Sequence, residues 1–497
     1  MRKSMILFAL LLAAGIGGMC CAHSTLTAAQ DNVSFTVAEE YGDVTAADSL
    51  TVSVRAHLDY HLLWETEHTF GQTPRTHTDF SFHSSQLRWI PEFVSPPLSL
   101  FLPTDINHSS SGINLLDENE GIGLYYPSPI ISTAMLREIA ARTQNGQQHT
   151  ETINLRDYYD YYPISAQVRA GLQSEEYYYY AIQEDEQYLY VMPDEAEVSK
   201  AFTDFFRIPV PEGRTVEVTI RKDSAGNVVQ IATSQEDAIY IDATGVETED
   251  GVYFVVSASG GPAGFRGIPG GFGVYLLPRA TILDGQGTEY PTLDYWNLKT
   301  VFPLGVSTTV PETKTAAQLT LSEDGRCLNL ITFEDGVYFL TVIELGSMTE
   351  KQKIPLFEGG EGLFFMANYV DGLLFAALGD NRFVLAERRA DNTYRQVLTG
   401  ARDFLLSFED YIDWAHPQIA WNGERLALVS WYRRRSPVNA YGHGLITDTC
   451  GFTLEIYDES GLTYKGAFES SLDVLSLVNI RYDVCRLIGE GALSVWW

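Results

Sequence analysis

Two tyrosine clusters, an arginine triplet and a band of histidines are the residues whose types and spacing could do chemistry. Tyr158-Tyr159-Asp160-Tyr161-Tyr162 and Tyr177 to Tyr180 set aromatic rings beside carboxylates. A pyranose stacks its C–H face on such a ring while its hydroxyls need polar partners, so the pattern suits a sugar-binding surface. The competing reading is the commoner one: tyrosines form strands well, and in an alternating strand half of each cluster turns into the core. Arg433-Arg434-Arg435 could receive an anionic group through charge-assisted hydrogen bonds, although such triplets more often answer local acids on a solvated loop. Arg266 sits in a glycine-rich stretch, Gly260 to Gly273, and offers a second cation of the same kind.

Six of the ten histidines fall between His57 and His108. His57 and His61 have the spacing of helical zinc ligands, but the glutamate of the H-E-x-x-H motif is absent. The residues before them read as a strand, where two positions four apart stand about 13 Å from each other. No metal site is expected. Three catalytic templates also fail. The glycine-rich stretch is not followed by the Lys-Ser/Thr of a phosphate loop, and no G-x-S-x-G elbow occurs. Ser322-Glu323-Asp324-Gly325 and Asp458-Glu459-Ser460-Gly461 approach the Ser-x-Asp-x-Gly box of sialidases, each with the glycine one residue out of place. Paired carboxylates for glycoside hydrolysis cannot be chosen from 65 acids by sequence.

Charge narrows the partners. With 33 basic and 65 acidic residues the formal net charge is −32. Such a surface repels nucleic acid and anionic lipid. It suits solvation, a cationic partner or bound Ca²⁺; no other cofactor is implied.

The elements that must position these residues are strands. Three passes of a four-strand pattern run over Ala317–Phe357, Phe364–Leu398 and Gln418–Phe468. Each opens with an apolar strand and a tight turn, at Asp324-Gly325, Asp371-Gly372 and Asn422-Gly423. These dipeptides favour turns that need φ > 0, which glycine accepts without strain. Repetition of one small antiparallel sheet every 40–50 residues or so is the mark of a β-propeller. Upstream the pattern loosens. Val216–Ile220 and Val228–Ala232 flank Asp223–Gly226 as a hairpin, and Val252–Ser257 reads as a further strand. The insertions at Gly260–Gly273 and Arg433–Thr449 interrupt the repeat and mark one face of the ring as the place for function. The expectation is all-β: a propeller of about seven four-stranded blades over residues 30–497, with a loop-rich insertion about 70–150 and one short helix at Ser132–Arg142. A strand from the N-terminus, Ser34–Val37 or Leu50–Ala56, is expected to complete the C-terminal blade, plugged by Trp496-Trp497.

Arg2 and Lys3 precede an uncharged run from Met5 to Ala22, the layout of a secretory leader spanning residues 1–22. Gly17-Gly18-Met19-Cys20-Cys21 is similar to a lipoprotein box, with Met19 in place of the usual small residue. Acylation at Cys20 or Cys21 and ordinary cleavage after Ala22 or Ala29 both stand. Beyond the leader, Cys327, Cys450 and Cys485 form no paired framework and no metal spacing.

The repeat resembles the β-propeller class, and the leader with it resembles secreted Gram-positive bacterial lipoproteins of unknown function that carry propellers. The resemblance implies a fold and no catalytic residue, since a ring hosts enzymes and binders alike. Without a catalytic motif, the expectation is a monomeric non-catalytic binding or scaffold protein. It would be secreted or held at the outer face of the cell membrane by lipid alone, with a cell-envelope protein or glycan as partner. The alternative is a carbohydrate-active enzyme with acids and tyrosines at a central channel.

Overall fold

The computed structural model describes residues 12–21, 24, 33–58, 62–82, 98–101, 107–113, 131, 133–168, 195–234, 239–260, 272–283, 289–305, 314–360, 365–402, 411–412, 417–434, 449–471 and 493–497. The fold is all-β and of the propeller class. Among the described residues, six antiparallel sheets of four or more strands carry it. The chain divides into two compact units, Met1–Phe93 with Gly362–Arg389 and Tyr394–Trp497, and Val94–Glu361 with Ala390–Thr393.

The first unit holds three sheets. Phe365–Val370, Leu373–Leu378, Arg382–Arg388 and Tyr394–Ala401 follow one another as a meander. Asp371 (φ 49°) and Gly372 (φ 77°) both take left-handed backbone at its first turn, as the sequence predicts for a two-residue hairpin. The second sheet is built on Gln418–Trp421, Leu426–Arg434, Thr449–Asp458 and Gly461–Ser470. Phe35–Gly42 adds itself to the outer edge of Gly461–Ser470. The third sheet joins the two ends of the chain: Leu493–Trp496 pairs with Thr51–Leu58, followed by Leu62–Thr69 and Arg75–Phe82. Both N-terminal strands are therefore used, one as an outer strap and one to receive the last strand. Trp497 packs on the core beside Val52, Phe452 and Leu493, while Trp496 stays exposed.

The second unit holds the first of the three expected repeats, Lys314–Leu321, Cys327–Glu334, Val337–Glu344 and Thr349–Glu358, again a meander. Cys327–Glu334 is buried along its whole length, as a strand covered on both faces must be. Ile239–Thr248, Gly251–Gly260 and Phe272–Leu283 form the next sheet, and both Glu289–Leu293 and Lys299–Gly305 pair with Phe272–Leu283.

The last sheet breaks the meander. Its order is Asn107–Ile113, Val228–Ser234, Thr215–Lys222, Gln148–Asn154, so strands distant in sequence flank the predicted 216–232 hairpin. Among the described residues, two helices belong to this part of the chain, α1 (Thr133–Arg142) and α2 (Glu195–Phe206). Only α1 was expected. α2 follows from Val198, Phe202 and Phe206 at a spacing of four, all buried in one core with Ile220, Phe254 and Tyr275. Phe206 meets Tyr275 edge-on at 5.2 Å. Burying each such ring contributes roughly 1.5–3 kcal/mol. Thr203 fixes the helix to its neighbour: its Oγ1 accepts from the Ile164 amide at 2.9 Å and donates to the Ser199 carbonyl at 2.8 Å.

Candidate functional site

The Tyr158–Tyr162 cluster lies in this irregular region and not on a strand. Gln148–Asn154 ends at a short 3-10 turn, Leu155–Asp157, because Asn154 caps it: the Arg156 amide donates to Asn154 Oδ1 at 3.2 Å. Leu155 is fully buried, and its carbonyl accepts the Tyr158 and Tyr159 amides at 3.1 and 2.9 Å. The far end is pinned as firmly. The Tyr162 amide donates to the Ile208 carbonyl at 2.8 Å, and the Val210 amide to the Asp160 carbonyl at 3.1 Å. Arg156 spans the bend, its guanidinium donating to the Asp160 carbonyl at 2.7 Å and standing 3.4 Å from the Asp160 carboxylate.

These anchors sort the four tyrosines. Tyr162 is core, its hydroxyl beside Arg214, and burial raises its pKa against the pull of that charge. Tyr159 leans on the same core and is likewise raised by burial and by Tyr158. Tyr158 is 55 % exposed and Tyr161 is 40 % exposed. Among the described residues of the second unit, the exposed large apolar side chains are these two and Trp296, all aromatic. Trp296 sits on a 3-10 turn, Tyr295–Asn297, capped by Asp294, with the Lys200 ammonium 5.8 Å from its ring centroid. Sequence reasoning missed Trp296; a lone tryptophan between Tyr295 and Asn297 carries no pattern.

Of the other expected site residues, some belong to the first unit and some lie outside the described residues. Arg433 and Arg434 end the strand Leu426–Arg434 in the first unit, opposite Cys450 and Thr449. Arg435, Arg266 and Tyr177–Tyr180 lie outside the described residues. Cys20 and Cys21 are exposed on the helical residues 12–21. No helix among the described residues is long and apolar enough to cross a membrane. No group of three His, Cys, Asp or Glu able to hold a metal is found among the described residues.

Two polar networks elsewhere serve the framework. Arg402 and Glu455, both buried, form a bidentate pair at 2.7 and 3.2 Å. Ser430 and Tyr457 complete it, the tyrosine hydroxyl donating to Glu455 at 2.6 Å. In the second unit the near-miss sialidase box is a turn lock. Asp324 accepts from Asn392 and Ser322, each at 2.8 Å, and these bonds hold its carboxyl down at about 2. Ser322 Oγ in turn accepts the Cys327 amide at 2.9 Å.

No family model matches the chain, and no curated protein matches it. Solved structures do. The chain is similar to the periplasmic gluconolactonase of Pseudomonas aeruginosa, with 13% identity over 53% of this chain and 78% of that one, at a TM-score of 0.23. A putative 6-phosphogluconolactonase from Bacteroides uniformis shares 15% over 48% of this chain and 78% of its own, at 0.20. A second putative 6-phosphogluconolactonase, from Bacteroides fragilis, shares 10% over 82% of this chain and 95% of its own, at 0.26. These three are named as enzymes, and nothing in the described residues singles out a scaffolding role. The expectation of a non-catalytic binding protein is corrected accordingly. At such scores the likeness assigns no reaction to this chain in its place.

Proposed function

We propose that the chain is an enzyme acting on sugar-derived substrates, with Tyr158 and Tyr161 as the ledge that receives the ring. The observation that carries this reading is the pair of exposed tyrosines on backbone clamped from both sides. Leaving large aromatic surface in water forgoes burial energy, and here the fold could have turned it inward, as it does with Tyr162. A segment fixed at Leu155 and Tyr162 spends little entropy on binding. Arg156, Asp157 and Asp160 border the rings with charged groups that hydroxyls can pair with. The acidic composition and the leader-like layout of residues 1–22 support a reaction outside the cytoplasm.

The test uses the leader-free chain with glucono-δ-lactone, other sugar lactones and aryl glycosides. The names of the similar proteins choose the lactones as first substrates and do no more than that. Turnover above the uncatalysed rate, with KM raised in Tyr158→Ala and Tyr161→Ala, is the expected result. Turnover of no member of the panel would sink the enzyme reading. Turnover with unchanged KM in both variants would sink the ledge.

A further inference from the structure

The N-terminal strand Phe35–Gly42 is held by one edge, and most of its side chains face water. Phe35 is the exception. Its ring packs 5.1 Å from Phe452 and 5.7 Å from His68, edge-on to both. His68, on Leu62–Thr69, is only 6 % exposed. Its other walls are Phe70 at 4.8 Å and Phe468 at 6.0 Å. Nδ1 lies 2.9 Å from Thr76 Oγ1. Val52 and Thr76 stand opposite it in register. None of these facing residues carries a charge. The titratable neighbours Glu67, Arg75, His77 and Glu469 are each one position along their strands and so belong to the opposite faces.

We propose that His68 is an acid-sensitive latch for the N-terminal strand: a proton on its ring releases Phe35–Gly42 from the edge of Gly461–Ser470. The neutral imidazole is satisfied by Thr76, whereas a cation in the aromatic box meets no carboxylate among the described residues that face it. Burial accordingly pushes its pKa below the ordinary histidine value. The sign follows. A group whose folded pKa is depressed below about 6.5 leaves stability intact above that pH and removes it as pH falls toward the folded value. Phe35 is the wall that can leave, because the remaining strand is fastened along one edge by backbone pairing and by side-chain bonds such as that from the buried Tyr464 hydroxyl to the exposed Glu40 at 2.9 Å. Of the other walls, Phe452 and Phe468 stand on strands paired along both edges, and Phe70 directly follows the inner strand Leu62–Thr69. Release uncovers the N–H and C=O groups of Gly461–Ser470, an edge able to accept another strand.

The experiment is hydrogen exchange on the leader-free chain at pH 7.5 and 5.0, corrected for intrinsic exchange rates. Protection of the Phe35–Gly42 amides should fall by about tenfold per pH unit below the unfolded histidine value, until the folded pKa is reached. Amides of Leu373–Leu378 should hold. In His68→Phe, which keeps the aromatic volume, strand protection should be the same at both pH values. An equal loss in His68→Phe, or none in the natural chain, overturns the proposal. Should His68→Phe fail to fold, proton NMR titration of His68 in the natural chain decides: a pKa at or above 6.5 overturns the latch, and one below it supports it.

Discussion

Tyr158 and Tyr161 matter because they are exposed while Tyr162 beside them is buried and Tyr159 is half-buried. Loss of either ring should weaken substrate binding by about threefold to tenfold, the worth of one aromatic stacking contact. Stability should hardly change, since neither ring is in the core. Equilibrium unfolding of both variants, run beside the kinetics, separates the two effects. Arg402 and Glu455 should behave in the opposite way. Arg402→Met leaves a buried carboxylate without its cation and should cost about 3–5 kcal/mol. Removing both charges, in Arg402→Met with Glu455→Leu, should recover most of that loss, as read by denaturant unfolding. If the double variant were as unstable as the single one, the pair would owe its role to shape and not to charge.

The strands most legible in the sequence were those bounded by strong turn chemistry. Asp371-Gly372 takes positive φ at both positions, as the dipeptide predicts, whereas at Asp324-Gly325 and Asn422-Gly423 only the glycine does. In the sheet containing Gln148–Asn154 the central 216–232 hairpin was legible, and the two outer strands were not, because they come from distant parts of the chain and local periodicity does not encode long-range pairing. α2 could have been read from Val198, Phe202 and Phe206, but neighbouring tyrosine-rich sequence favours strand. The tyrosine cluster was visible as a composition, while its split into ledge and core depended on the Asn154 cap and the bonds to Ile208 and Val210. Closure by both ends was half legible: two N-terminal strands were candidates, and the chain uses both. That arrangement places a sharp demand on Gly42, at φ +90°, where an added Cβ would run into the Thr463 carbonyl. Gly42→Ala should destabilise the strap by about 1 kcal/mol or more through backbone strain alone. Faster exchange of the Phe35–Tyr41 amides is the readout, and unchanged exchange would show that the crossing can yield.

Acid should act on the two units in separate pH ranges. In the first, the depressed pKa of His68 makes stability decline below about 6.5. In the second, Asp324 is held near 2, so its contribution persists to lower pH and is lost as pH falls from about 4 toward 2. Spectroscopic titration with probes in each unit should show the His68 limb vanish in His68→Phe and the Asp324 limb shrink in Asn392→Ala. The strong negative charge adds a uniform term that salt screens, which distinguishes it from these local ones. Mass spectrometry of the exported chain would settle the leader: an acyl mass on Cys20 or Cys21 supports the lipoprotein reading, and an unmodified start after Ala22 excludes it. The central claim, an enzyme that holds sugar-derived substrates on the Tyr158–Tyr161 ledge, is tested most directly by acid release from glucono-δ-lactone and related sugar lactones. Saturable release above the spontaneous rate, with KM several-fold higher in Tyr158→Ala and Tyr161→Ala, is the predicted result. Release at the spontaneous rate across the whole panel would contradict it.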